Sequence, residues 1–292
     1  MPELPSHSAA PTAFVLAAQC DDRQGIMRAV TEFIDRRGFS ISEHQQFDDA
    51  TEGRFFLRTS FAGPNPDDSF LLSRDFEEIA RAFNMEYEFT ESRIRPRIGV
   101  LVSREGHCLN DLVYRWRSDE LGGDLVAVMS NHESLRAMAE AADLPFQYTP
   151  VTAATKVDAE RSLRAMVSEH ALDLIVLARY MQVLSDDFCR DHPGRVINIH
   201  HSFLPGFKGA RPYQQAHTRG VKYVGATAHY VTADLDEGPI IEQEVIRVTH
   251  ALSATDLARV GRDAEALALS RAVRWHCERR VLLNGRRTVV FA

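Results

Sequence analysis

Apolar residues recur along this chain with two different periods, and the order of those periods divides it. Ala13–Gln19 (AFVLAAQ) is an apolar run that suits a buried strand. Cys20–Gly25 breaks the run with charge and a glycine. From Ile26 the apolar positions Val30, Phe33 and Ile34 follow helical spacing, and Gly38 ends that stretch. Phe39–Phe47 and Arg54–Phe61 predict two strands across an acidic, glycine-containing connection. Ser73–Phe83 predicts a second helix, with Ser73 as N-cap and Phe76, Ile79, Ala80 and Phe83 turned inward. Met85–Phe89 predicts a short last strand. The order βαββαβ makes a ferredoxin-like sandwich over residues 13–93.

After the polar, proline-bearing stretch Glu91–Arg97 (ESRIRPR) the pattern changes, so a second domain is expected over 94–292. Arg97–Ser103 is nearly continuous in apolar residues, as strands buried on both faces are. Leu125–Met129, Leu172–Leu177 and Val196–His200 read alike. Helical stretches Cys108–Arg117, Glu133–Ala142 and Ala159–His170 separate them. Alternating strands and helices predict an α/β, doubly wound, mostly parallel sheet. Val224–Val231 and Pro239–Val248 then predict an antiparallel pair around an acidic loop, and a long helix over Ser253–Val281 closes the domain.

Composition narrows the function classes. The 292 residues suit two domains, and 45 % of them are apolar, enough for packed cores. A formal charge of −7 argues against a nucleic-acid partner. No apolar run is long enough to cross a membrane, so no membrane partner is expected. Residues 1–12 carry Pro2, Pro5 and Pro11 without the pattern of a signal peptide, and read as a loose arm. Cys20, Cys108, Cys189 and Cys277 have no paired, zinc-like spacing and read as reduced thiols of a cytoplasmic protein.

The chemistry concentrates in Val196–Leu204 (VINIHHSFL) and Val231–Ile241 (VTADLDEGPII). Asn198 and His200 stand two apart on a strand, so they share a face, while His201 points away unless the strand has ended. Two donors aimed at one oxygen suit a carbonyl that becomes an oxyanion; losing one such donor raises a barrier by about 3–4 kcal/mol. Asp236, on the acidic loop, is the candidate base and can also orient the His200 ring. Taken singly, a buried histidine, a strand-end asparagine and a turn aspartate are ordinary structural residues; the combination carries the reading. A metal-dependent alternative calls on His192, His200, His229 and Asp236, but has no HExxH or paired-cysteine signature.

Residues 196–212 (VINIHHSFLPGFKGARP), Leu177–Ser185 (LARYMQVLS) and Gly225–Gln243 resemble the formyltransferase family that uses 10-formyltetrahydrofolate, and within it the formyltetrahydrofolate deformylase branch. The likeness extends over nearly the whole chain. It implies hydrolysis of 10-formyltetrahydrofolate to tetrahydrofolate and formate, balancing one-carbon pools and supplying formate for purine synthesis. It implies Asn198, His200 and Asp236 as the catalytic trio, the same three reached above. It implies a pterin held against Met181, Gln182, Val183 and Leu184, mainly through backbone groups, with plain core packing as the structural reading of those side chains. Lys208 and Arg211 would meet the folate's glutamate tail, or serve solubility only. No permanently bound cofactor or metal is implied.

The N-terminal order, with Asp22-Arg-Gln-Gly-Ile26 between strand and helix, resembles an ACT domain. The resemblance implies amino-acid effectors, methionine and glycine, and a homo-oligomer. Asp22, Arg23, Gly25 and Ile26 are the candidate effector contacts, with a purely oligomerising domain as the alternative. Formyl transfer to an amine such as glycinamide ribonucleotide is the competing activity. The purine-making relatives cradle that acceptor's phosphate in a Gly/Ser-rich loop after the first strand of the second domain. Here the loop is Ser103–Leu109 (SREGHCL), in which only Gly106 remains, Glu105 adds negative charge and His107 adds bulk. A pure amino-acid sensor is a third class, opposed by the intact trio.

Overall fold

The computed structural model describes residues 12–63, 69–206 and 212–292. The chain divides into two compact units, one of residues 1–94 with 278–282 and 289–292, the other of residues 95–277 with 283–288. The two closing segments therefore count with the first unit, where a linear boundary expects them in the second.

In the first unit, strands β1 (Thr12–Asp21), β2 (Ser40–Asp49), β3 (Arg54–Gly63) and β4 (Glu86–Glu91) form one antiparallel sheet in the order β2-β3-β1-β4. Helices α1 (Ile26–Arg36) and α2 (Ser69–Phe83) follow β1 and β3 and complete the ferredoxin-like, ACT-type pattern. Ile26, Val30, Phe33 and Ile34 of α1 are buried, as their spacing requires. Phe14, Phe61, Phe76 and Phe89 are buried in the same core, and Phe33 and Phe76 meet edge-on at 5.0 Å. The second helix starts four residues before the expected cap. Ser73 lies inside it and its hydroxyl donates back to the Ser69 carbonyl at 2.8 Å, because Leu72 is buried and extends the inward stripe.

The second unit holds a seven-stranded sheet in the order β11-β10-β9-β8-β5-β6-β7. Its strands are β5 (Arg97–Val102), β6 (Asp124–Ser130), β7 (Phe146–Tyr148), β8 (Leu174–Ala178), β9 (Val196–His200), β10 (Tyr223–Tyr230) and β11 (Ile240–Arg247). The pairs among β5 to β9 are parallel, and β10 runs antiparallel to both β9 and β11. Its helices are α3 (His107–Arg117), α4 (Arg136–Glu140), α5 (Lys156–Glu169), α6 (Asp186–Asp191), α7 (Pro212–Arg219) and α8 (Ala254–Cys277). Helix α4 is one turn and a half, shorter than the expected Glu133–Ala142, and α8 stops at Cys277 rather than Val281. Strand β7 and helix α6 are too short for a periodicity to reveal. Ser185 caps α6 by accepting from the Phe188 amide at 3.1 Å. A last hairpin joins β12 (Val281–Asn284) and β13 (Arg287–Val290).

Chain order reverses across this sheet between β5 and β8. From β5 the chain steps outward to β6 and β7, and from β8 it steps the other way to β9, β10 and β11. The loops after β5 and β8 therefore diverge, and an open α/β sheet places its ligands in such a crevice at the carboxyl ends of its strands. Among the described residues, no helix is long and apolar enough to cross a membrane.

Candidate active site

Strand β9 is buried except at Asn198, which is half-buried, and ends at His200. Cross-strand pairing with β10 sets Thr227 opposite His200 and His229 opposite Asn198. The chain between β10 and β11 loops back over the end of β9, and two backbone features tighten that return. Asp236 takes a left-handed conformation with φ of +56°. At Gly238 an added Cβ would lie 1.7 Å from the Tyr230 carbonyl oxygen, so only glycine fits.

The loop brings Asp236 Oδ1 to 3.2 Å from His200 Nδ1 and 3.8 Å from His229 Nε2. Asp236 is held below the usual carboxylate range by the His200 hydrogen bond, against the upward push of burial. His200 is only 5 % exposed. Its Nδ1 faces Asp236, and its Nε2 is buried with no hydrogen-bond partner among the described residues.

Asn198 is fixed from behind by a residue that sequence reasoning considered only as a metal ligand. His229 contacts the Tyr230 carbonyl through Nδ1 at 2.9 Å, so that nitrogen carries the proton and donates. Its Nε2 is then the acceptor for the Asn198 side-chain amide at 3.2 Å. Burial lowers the His229 pKa and keeps the ring neutral, as this arrangement needs. A histidine inside the buried run of β10 is the signal that marks it.

These groups open on a cavity of about 330 Å³. Asn198, His200 and Asp236 all line it, as do Met181, Gln182, Val183 and Leu184 from the stretch after β8. Met181 and Val183 are more than half exposed, so they are not core residues; Leu184 alone leans on the core. The Met181 amide donates to Ser103 Oγ at 3.0 Å, so this backbone N–H is already engaged. His201 lines the cavity too, because β9 has ended and the alternation with it. Burial, then the charges of Arg179 and His200, lower its pKa to about 4, so the ring is neutral near pH 7.

The metal-ligand alternative is not assembled. His192 sits in the turn after α6, stacked on Phe188 at 4.3 Å and bonded to its carbonyl, and does not line the cavity. Among the described residues, one other triad brings possible ligand atoms within 4.8 Å of one another: His107, Cys108 and Glu265. There His107 Nε2 and Glu265 already bond at 2.8 Å.

That second cluster lies in the crevice between the loops after β5 and β8. Glu265, on α8 and 1 % exposed, accepts from His107 Nε2, from the Tyr213 hydroxyl at 2.6 Å, and pairs with Arg179 Nε at 3.3 Å. Burial pushes its carboxyl up, but the His107 bond, the Arg179 charge and the Tyr213 bond outweigh it, and the net shift is downward. The remaining charges of the loop after β5 are also engaged: Glu105 pairs with Arg262 at 3.3 Å, and Arg104 donates to His132 at 3.3 Å. Of this cluster only His107 was a sequence candidate; Arg179, Tyr213 and Glu265 were not.

The candidate effector residues lie elsewhere, at the turn from β1 into α1. Gly25, with φ of +100°, precedes the first helical residue, and an added Cβ there would meet nothing within 4 Å. Asp22 and Arg23 are exposed, and Ile26 is buried. Lys208, Arg211 and the arm before Thr12 lie outside the described residues.

The profile of the formyl transferase family matches residues 96–273. A formyltetrahydrofolate deformylase of Corynebacterium sp. (strain P-1) is 48 % identical over 277 residues, 94 % of this chain and 97 % of that protein. The chain belongs to the formyltetrahydrofolate deformylase family. The crystal structure of a member from Pseudomonas syringae pv. tomato DC3000 superposes with a TM-score of 0.94 at 44 % identity, covering 98 % of this chain and 96 % of that one. Glycinamide ribonucleotide transformylase 1 of Symbiobacterium toebii, at 30 % identity and a TM-score of 0.64, covers 68 % of this chain and 95 % of its own. Deformylases thus match both units, whereas that transformylase matches only about two thirds of the chain.

Proposed function

We infer that this chain hydrolyses 10-formyltetrahydrofolate to tetrahydrofolate and formate, with Asn198, His200 and Asp236 as the reacting groups. The observation that carries the reading is the unmade bond at His200 Nε2. A buried polar atom without a partner costs roughly 1–3 kcal/mol, and here its residue lines an open cavity where a substrate can supply what is missing. Membership of the deformylase family names the substrate class.

The three groups divide the work. Asp236, kept ionised, takes a proton from the attacking water. As the water oxygen bonds to the formyl carbon, the carbonyl oxygen becomes an oxyanion. His200 donates to it from Nε2 with Asp236 orienting the ring, and the Asn198 amide, aimed by His229, supplies the second donor. The bond from the carbon to the folate nitrogen then breaks, the proton goes to that nitrogen, and formate leaves. Met181–Leu184 form the cavity wall for the pterin. The chemistry draws on no metal or resident cofactor.

The test is a reaction of chelator-treated protein with 10-formyltetrahydrofolate and no amine. Formate and tetrahydrofolate in equal amounts are expected; formate that appears only after an amine is added would overturn the reading. The first unit is read as an amino-acid sensor, its open turn at Gly25 offering amide groups at a helix N-terminus to an effector carboxylate. Titration calorimetry with methionine and with glycine tests this; no heat from either removes it. The homo-oligomer is tested by sedimentation.

A further inference from the structure

The crevice where chain order reverses is the natural ligand position of this sheet, and here it is filled by the protein's own side chains. It lies beside the N-terminus of α3, where an anion or an incoming polar ligand would be favoured. A carboxylate occupies it instead. Glu265 reaches in from α8, and Arg179 and His107 meet it from the loops after β8 and β5. Two departures from ordinary backbone and packing go into building this arrangement. Arg179 adopts φ of +64°, a left-handed conformation that strains a non-glycine residue. Gly261, one turn before Glu265 on the same face of α8, leaves the space that the Tyr213 ring fills; an added Cβ would lie 2.0 Å from the hydroxyl oxygen.

The cluster abuts the reacting imidazole. The Tyr213 and His201 ring centroids are 6.4 Å apart, and those of His201 and His200 are 5.0 Å apart. Arg179 lines both the crevice and the main cavity. A nucleophile larger than water that approached the formyl carbon through the crevice would meet the guanidinium of Arg179 first. Displacing it would strip Glu265 of its cationic partner, and breaking a buried pair by removing one member is strongly unfavourable.

We propose that Arg179, paired with Glu265, whose carboxylate His107 and Tyr213 hold in place, is the specificity-determining residue of this enzyme: it closes the switch-point crevice to amine acceptors and leaves water as the nucleophile. The class of acceptor excluded is a primary amine carried on a larger, polar body. Once the plug is removed, the amine nitrogen bonds to the formyl carbon, the bond from that carbon to the folate nitrogen breaks, and the amine proton goes to the folate nitrogen. The inference rests on the hydrolytic reading above, and a wild-type control that releases formate keeps the two separable.

The experiment is a partition measurement. Arg179→Gly, which also relieves the left-handed strain, and the double variant Arg179→Gly/Glu265→Gln, which leaves no uncompensated buried charge, are each incubated with 10-formyltetrahydrofolate and glycinamide. The ratio of N-formylglycinamide to formate is read by mass spectrometry. That ratio does not depend on how much the substitutions weaken folate binding or slow overall turnover. At least a tenfold rise over the wild-type ratio is expected in whichever variant folds. A ratio equal to wild type in a folded variant overturns the proposal, as does a wild type that already formylates glycinamide as readily as it releases formate. Failure of both variants to fold would show that the cluster serves folding, and would overturn it as well.

Discussion

Two clusters in the second unit use nearly the same chemistry to opposite ends. At the end of β9, Asp236 faces His200 and His229; in the adjoining crevice, Glu265 faces His107 and Arg179. Both carboxyls are held below their usual range by their partners. The difference lies in what each carboxylate faces. The Glu265 carboxylate is saturated by a histidine, a tyrosine hydroxyl and a guanidinium, and it is sealed from solvent. The Asp236 carboxylate is 15 % exposed to a cavity, while each ring, His200 at Nε2 and His107 at Nδ1, keeps one buried nitrogen without a partner among the described residues. Acid–histidine pairs are common in proteins, and the open volume that Asp236 and His200 line, and that Glu265 and His107 do not, separates the pair proposed to react from the other.

That contrast predicts a graded series of effects. The largest is expected for Asp236→Asn, which keeps the shape of the loop and removes the base. We expect kcat to fall by about a thousandfold or more while folate binding, followed by fluorescence titration, changes little. Equal losses of turnover and binding would make Asp236 a structural residue like Glu265. His200→Ala removes an oxyanion donor, and kcat should drop by about a hundredfold to a thousandfold with a smaller change in KM. An unchanged kcat would take His200 out of the mechanism.

A stability effect comes next. His201 has its pKa lowered from 6.5 to about 4 in the folded protein. The unfolded chain therefore takes up a proton below pH 6.5 that the folded chain refuses until near pH 4. Stability is lost as pH falls through that window, by up to about 3 kcal/mol before solvent screening is discounted. His201→Phe should flatten this part of a denaturation series measured between pH 7 and 4. An unchanged slope would mean that other groups carry the acid sensitivity. The smallest effect is expected for His229→Gln, which lacks the imidazole acceptor that aims Asn198 yet keeps polar atoms nearby. We expect roughly a tenfold loss in kcat with KM preserved. A loss as large as that of His200→Ala would place His229 among the reacting groups.

Much of this was legible before any coordinates. The trio could be read because two of its members stand two apart on one strand, so geometry follows from sequence, and the third sits in a loop whose glycine announces a tight return. The ferredoxin-like unit and the parallel sheet were legible because Phe33, Phe76 and the runs at β5 and β9 repeat with the right periods. The Glu265 cluster was not legible. It joins positions as far as 158 apart in sequence, and no periodicity relates α8 to the start of α3. Its one local sign is an acid set in the apolar stretch Ala264–Leu269 of a long helix, four residues after a glycine. The role of His229 was hidden for a similar reason: strand register, not spacing, puts it opposite Asn198. Ser73 misled as a helix start because the stripe it precedes extends back to Leu72, and burial of that leucine outweighs a good cap.

The central claim is that water, admitted where an amine is shut out, is the nucleophile. Its most direct test is a single turnover of 10-formyltetrahydrofolate in water enriched in oxygen-18. The account predicts formate carrying one heavy oxygen per molecule, with tetrahydrofolate released in equal amount. Formate without the label, or tetrahydrofolate formed while the formyl group is recovered on another molecule, would contradict it.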